Sequence, residues 1–494
     1  MQVYRQLRLL HNQVVAVATT GLAEVAEGTI TVVAEVAAEA VITVALTTVA
    51  HVLQEPSSTQ TTYEKRETIY GLSFFILLHL QERDQHHFLL TIHRAMKKLF
   101  LLLCAGLIAA ISFAQPLAQV SPEKAGMDPS RLSNVDAIVN NSIEKGEIPG
   151  AVLAVVRGDK IVYLKSYGNK SVYPKVEKMD VNTIFDMASV SKSVGTAISV
   201  MQLVEQGKIR LTDNVAMYIP GFNGYENPEN GRKTDIRVID LLTHSSGLPP
   251  YAPAAQLVEK YGSPSPEGLL EYISTCKRDF APTEKFQYSC LNFITLQHIV
   301  QNISGISLAE YARKNIFDVL GMKHTSYNPP KEHYPMIAPT EKQADGSVIL
   351  GKVHDPLARL LNDGNSGNAG VFSNANDLAV LAAALMNGGE YNGKRILGSL
   401  TVEAMTRVPA GLEHIGRSLG WDNYSSYASN NGNLFHPVKT YGHTGYTGTS
   451  FVVDPVSKTA VILLANRVHP EDKHSVVRLR ALVANAVAGA VICK

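Results

Sequence analysis

The chain has 494 residues, 45% of them hydrophobic and 18% charged, with a formal net charge of +1. Length and apolar content suffice for a large globular core, and the near-neutral charge gives no electrostatic case for nucleic acid or an anionic membrane surface. Four cysteines, Cys104, Cys276, Cys290 and Cys493, lack metal-site spacing and are too few for a disulfide scaffold.

Residues 1–95 read unlike the rest. Val14 to Leu53 is a biased run of Ala, Val, Thr and Glu with neither a clear period nor turn punctuation. Glu35 and Glu39 interrupt it as a membrane span, and the apolar stretch Gly71 to Leu80 is too short to cross. Met96-Lys97-Lys98 then forms a basic n-region, Leu99 to Phe113 an apolar h-region, and Ser112-Phe113-Ala114 a small-x-small cleavage site before Gln115. This is the pattern of a secretory signal peptide over 96–114. Such peptides sit at N-termini, so translation is expected to start at Met96, with 1–95 the product of an over-long gene model. The alternative is a disordered N-terminal extension with an internal anchor. Leu103 is too large for the position before a lipidated cysteine, which argues against a lipid on Cys104. The mature chain, 115–494, is expected in a bacterial periplasm or outside the cell, touching membrane only through the signal segment.

From Gln115 onward the punctuation is that of one α/β (α+β) unit. Asp128-Pro129-Ser130 caps a helix to about Lys145, with Leu132, Val135, Ile138 and Val139 on one face. Ala151 to Arg157 and Lys160 to Tyr167 flank the turn Gly158-Asp159 and predict a hairpin. Ser189 to Glu205 reads as a buried helix, and Ile236 to Leu242 as a short one ending in the turn-rich Thr243 to Pro249. Pro266 to Thr275, Cys290 to Asn302, Leu308 to Val319 and Asn376 to Asn387 also read as helices, and residues 327–366 as an excursion. Tyr441 to Gly445, Thr449 to Asp454 and Thr459 to Ala465 alternate as antiparallel strands before a terminal helix, Val476 to Ile492. Strands at both ends with helices between them predict one antiparallel sheet built from N- and C-terminal strands, helices on its faces and a large helical insertion.

Ser189 and Lys192, three residues apart at a helix start, share one face. A lysine held beside a hydroxyl can take its proton, yet the pair alone is equally what a solvated helix face would show. Two more signals follow: Tyr288 at a strand-to-helix corner, and His443-Thr444-Gly445 on a strand. Taken with Phe185-Asp186-Met187-Ala188, Leu241 to Pro249, Leu320-Gly321-Met322, Gly367 to Ser373 and Gly442 to Gly448, they resemble the serine β-lactamase-like family. That family includes class C β-lactamases, D,D-carboxypeptidases, D-aminopeptidases and esterases. The resemblance runs from about Gly126 to the C-terminus.

The resemblance implies a β-lactamase/transpeptidase-like fold and acyl transfer without a cofactor or metal. Ser189 would be the nucleophile, and either Lys192 or Tyr288 its base, with Tyr288 returning a proton to the leaving group. His443 would support the proton network or a substrate carboxylate. The backbone N–H groups of Ser189 and Tyr446 would form the oxyanion hole. Thr444, Gly445 and Cys290 would touch substrate. Cys290 stands where relatives carry an Asn that meets a substrate amide, and a thiol is a weak partner for a carbonyl. His443 stands where many carry Lys. Both departures put β-lactam hydrolysis below esterase or D,D-peptidase activity. Cys276 and Cys290 would be either a disulfide or two buried thiols in an oxidising compartment. His244, His324 and His354-Asp355 lack ligand spacing, and His354-Asp355 with Arg359 reads as structural. The implied partner is a small or short peptide substrate, cell-wall peptides included, and no nucleic acid. The rival reading is a non-catalytic module that binds peptidoglycan peptides on the same fold.

Overall fold

In the computed structural model the described residues are 117–492. The expectations for residues 1–95 and for the signal peptide fall outside them.

Asp128 accepts from the N–H groups of Ser130 and Arg131, starting a short turn that leads into helix α1, Asn134–Glu144. The hairpin follows as β1, Gly150–Arg157, and β2, Lys160–Ser171, paired antiparallel from Gly150↔Gly168 to Arg157↔Lys160. The Ser189 region continues as a π-helical turn, Lys192–Ala197, and then as α2, Ile198–Glu205. Helices α3, Cys290–Ser304, and α4, Ala375–Met386, lie in the insertion. The chain returns as β3, Tyr441–Thr444, β4, Ser450–Asp454, and β5, Thr459–Ala465, and ends in α5, Val477–Gly489.

β5 pairs with β1 from Thr459↔Arg157 to Ala465↔Ala151, which joins the two ends of the domain. The path across the main sheet is Ala118–Gln119, β2, β1, β5, β4, β3, and Glu177–Lys178 adds to β2. All of these pairings are antiparallel except that of Ala118–Gln119 with β2.

Side chains alternate across a strand, so one sheet feeds two cores. Val152, Ala154, Val156, Ala460, Ile462 and Leu464 face a large core shared with α2, α3 and α4. Ala151, Leu153, Val155, Val461, Leu463 and Ala465 face a second core, closed by Val135 and Val139 of α1 and by Leu479, Val483 and Val487 of α5. Burial on both faces explains why β1 and β5 read as nearly continuous apolar runs.

A small second sheet positions the Ser189 turn. Phe185–Asp186 pairs with Val371–Ser373, which pairs with Ser326–Tyr327. The Gly367 to Ser373 stretch is thereby set against the turn that carries Ser189.

Candidate active site

The turn before Ser189 is strained and pinned. Ala188 has φ +45°, a left-handed conformation that costs a side-chain-bearing residue about 1–3 kcal/mol. Asp186 accepts from the N–H groups of Ala188 (2.8 Å) and His354 (2.6 Å), and Met187 N–H donates to Val371 O (2.9 Å). The carboxylate that anchors the turn is itself buried, and burial pushes its pKa up.

Lys192 is fully buried. Its Nζ lies 2.9 Å from Ser189 Oγ and 2.7 Å from Asn368 O, with the Tyr288 ring centroid at 5.1 Å. Burial disfavours its charge; Cys290, Tyr288 and Asp355 favour it, and the net direction is upward. The Tyr288 hydroxyl interacts with both Ser189 and Lys192, but burial outweighs their help and its pKa is raised. Ser189, Lys192 and Tyr288 therefore form one hydrogen-bonded group.

The Tyr288 corner is held by the Thr243 to Pro250 loop. His244 stacks on Tyr288 with ring centroids 4.4 Å apart, and its Nδ1 accepts from Ser289 N–H (3.1 Å). Ser289 Oγ donates to Pro249 O (2.5 Å) and caps α3 by accepting from Leu291 N–H. Asn292 Nδ2 lies 3.1 Å from His244 Nδ1, and Asn292 Oδ1 accepts from Ser246 Oγ, so this amide is committed to structure.

His443 Nδ1 sits 2.9 Å from Thr444 O, which makes it the protonated nitrogen and leaves Nε2 an acceptor. Among the described residues Nε2 has no partner. Burial first, then Arg417 and Lys192, hold the ring well below the usual histidine range. A neutral ring suits a proton network; it has no charge with which to draw a carboxylate.

The end of β3 packs on the turn that carries Ser189. A Cβ on Gly445 would lie 2.4 Å from Met187 O, so only glycine allows this approach. Thr447 Oγ1 donates to Asp186 O (2.8 Å) and Thr449 Oγ1 to Met187 O (3.0 Å). Arg480 of α5 reaches under the turn to donate to Gly445 O (2.6 Å) and Thr449 O (2.8 Å). Among the described residues no backbone acceptor is found for the N–H of Ser189 or of Tyr446. The Tyr446 ring stacks on His354 at 5.8 Å, with the Arg467 guanidinium 4.5 Å from it.

Ser189, Tyr288, His443, Thr444, Gly445 and Tyr446 line one cleft of about 310 Å³, together with Arg417, Tyr427 and Arg480. Cys290 does not line it. Its Sγ lies 3.6 Å from Lys192 Nζ, and burial pushes the thiol's pKa up. Cys276 and Cys290 are both free, which settles the pairing left open by the sequence; Cys276 Sγ lies 3.2 Å from Arg278 Nη1 instead. Arg359 donates to Val353 O and His354 O, as its structural reading implies. Asp355 does more, accepting from Tyr251 Oη and Asn368 Nδ2 and adding charge near Lys192. Sequence reasoning missed Asp186, Asn368, Arg417, Thr447, Thr449 and Arg480. Only proximity to a motif pointed to some of them. Among the described residues no group of acidic, His and Cys side chains suits a metal.

Strands from both ends of the described domain, a pinned serine turn and a facing strand edge are the features that a family assignment has to explain. The Beta-lactamase family model matches residues 135–485. The chain belongs to the β-lactamase family. A protein of Salmonella heidelberg (strain SL476) named "Putative D-alanyl-D-alanine carboxypeptidase" is 34% identical over an alignment of 377 positions that covers 72% of this chain and 86% of that protein. EstCE1, a hydrolase with promiscuous acyltransferase activity, matches 73% of this chain and 99% of its own at a TM-score of 0.59 and 22% identity. A class C β-lactamase matches 74% of this chain and 98% of its own at a TM-score of 0.58 and 19% identity. At those identities the two structures establish the fold and nothing finer.

Proposed function

We propose that the protein is a secreted or periplasmic serine hydrolase that works through an acyl-enzyme on small esters, amides or D-amino-acid peptides. Ester and D,D-peptidase chemistry ranks above β-lactam hydrolysis. The observation that carries this is the 2.9 Å contact between the fully buried Lys192 Nζ and Ser189 Oγ, which lines the cleft with Tyr288.

Lys192 is held by an acceptor, Asn368 O, and shifted toward its charged form. Tyr288 lines the cleft beside Ser189 and Lys192 does not, so Tyr288 is taken as the base, used as the phenolate that the neighbouring Lys192 favours. The Ser189 proton passes to the Tyr288 oxygen as Oγ bonds to the substrate carbonyl. The carbonyl oxygen takes up the negative charge and meets the N–H groups of Ser189 and Tyr446. The scissile bond then breaks, and Tyr288 returns the proton to the leaving group. Water, deprotonated by the same tyrosine, releases the acid and restores Ser189.

The cleft volume, at the small end of ligand-sized pockets, favours a short substrate. The named D-alanyl-D-alanine carboxypeptidase relatives support short peptides, cell-wall peptides among them. Buried Cys290 offers no amide to a substrate carbonyl, which supports the low rank of β-lactams.

The test is a substrate profile across p-nitrophenyl esters, D-Ala-D-Ala peptides and nitrocefin, with Ser189→Ala as control. Turnover of an ester or peptide that disappears in the variant is expected. Fast nitrocefin turnover would overturn the ranking, and peptide binding without any turnover would favour a non-catalytic binding module.

A further inference from the structure

Arg417 belongs to no motif and has no part in the proton transfers above. It is fully buried and lines the cleft. Its guanidinium carbon lies 5.7 Å from the Tyr288 ring and 5.6 Å from the Phe286 ring. Nη1 forms a loose 3.4 Å pair with Asp422. Nε and Nη2 have no hydrogen-bond partner among the described residues. A buried guanidinium with two unpartnered nitrogens and two rings at cation–π range is held by aromatic faces as much as by its carboxylate. Burying a loosely paired cation is costly, and the fold places it beside the tyrosine whose anion the reaction needs.

We propose that Arg417 is a positioning residue for Tyr288: it steadies the ring and, with Lys192, supplies the second cation that favours the Tyr288 phenolate. This rests on the hydrolase reading above. The surrounding groups leave that task to Arg417. Lys192 faces Tyr288 from α2's side of the cleft, with its ammonium 5.1 Å from the ring centroid. His244 and His443, with ring centroids 4.4 and 6.0 Å from Tyr288, are both neutral, held down by burial and then by Arg417 and Lys192. Burial keeps Cys290 a thiol, and Tyr427 stacks on Tyr288 with ring centroids 5.6 Å apart. Asp355 acts on Lys192, and Asp422 on Arg417. Arg417 exchanges no proton in the reaction; the proton moves from Ser189 to Tyr288 and on to the leaving group.

The test reads Tyr288 itself. Tyrosinate absorbance is titrated in the full chain and in Tyr288→Phe, and the difference isolates one of 20 tyrosines. The same difference is taken with Arg417→Met and with Arg417→Lys. Arg417→Met is expected to raise the midpoint by about 1–2 pH units, and Arg417→Lys to hold it near the wild-type value. In parallel, kcat/KM for p-nitrophenyl acetate should fall about 10–100-fold in Arg417→Met at neutral pH, recover toward high pH, and be rescued by Arg417→Lys. An unmoved midpoint in folded Arg417→Met overturns the proposal, as does an equal, pH-independent loss in both variants. If Arg417→Met does not fold, Arg417→Gln replaces it. A shifted midpoint in a protein that hydrolyses neither p-nitrophenyl esters, D-Ala-D-Ala peptides nor nitrocefin would sustain the role of Arg417 and sink the hydrolase reading instead.

Discussion

At the residue scale, the site turns on which of its groups carries charge. Lys192 leans toward its ammonium and Tyr288 toward its neutral phenol, so the resting site holds one proton more than the reactive form. The reactive fraction grows as pH rises, and kcat/KM should climb from neutral into alkaline pH; a profile flat from pH 7 to 10 would contradict this. Ser189→Ala and Lys192→Met should each lower kcat by about 10³-fold or more, and the double variant little further, because the two act as one unit. Additive losses would show that Lys192 works independently of the serine.

Among the elements, the turn after β3 is the part most exposed to small errors. Thr449 Oγ1 ties it to Met187 O, one residue before Ala188 and two before the nucleophile. Thr449→Val removes one buried hydrogen bond, worth about 0.5–1.5 kcal/mol of stability. A displacement of the Tyr446 N–H by a fraction of an ångström should cost kcat about 10–100-fold. Gly445→Ala should do worse, since its Cβ meets backbone at Met187 and not only a movable side chain. Melting temperature and kcat, measured together, separate the two effects; an equal fall in stability with kcat intact would place the oxyanion donors elsewhere. This stitching was not legible in the sequence. Thr447 and Thr449 bond to oxygens more than 260 residues away in the chain, and no spacing rule reaches that far. The π-helical turns at Lys192–Ala197 and Arg313–Phe317 also carry no residue signature. The helices Ala254–Tyr261 and Ser399–Thr406 are short and stand among loops, without a long period to reveal them. The elements that were legible, such as the hairpin and Pro266–Thr275, are those with sharp turn or cap residues at their ends.

At the scale of the whole molecule, β1 and β5 belong to both cores, so neither core can melt alone without breaking the strands of the other. Trp421, the chain's single tryptophan, reports on the larger core. Leu463→Ala, in the smaller core, should destabilise by about 2–5 kcal/mol and shift the Trp421 fluorescence transition as Ile462→Ala does. A Trp421 transition unmoved by Leu463→Ala would mean that the cores unfold separately. The architecture was legible because strands at both chain ends have one economical solution, a shared sheet. Ser189, Lys192, Tyr288 and His443 could be singled out in the sequence because each stands in a short local motif; the fold, not the chemistry, sets their order along the chain. Arg417 was not, because its partners are aromatic faces and one carboxylate assembled only by the fold.

The central claim is that Ser189 is the nucleophile. The measurement is intact-mass and peptide-level mass spectrometry of the folded protein after exposure to a fluorophosphonate probe. The account predicts a single covalent adduct on the Ser189 peptide, absent in Ser189→Ala. An unmodified Ser189, or an adduct retained in Ser189→Ala, would contradict it.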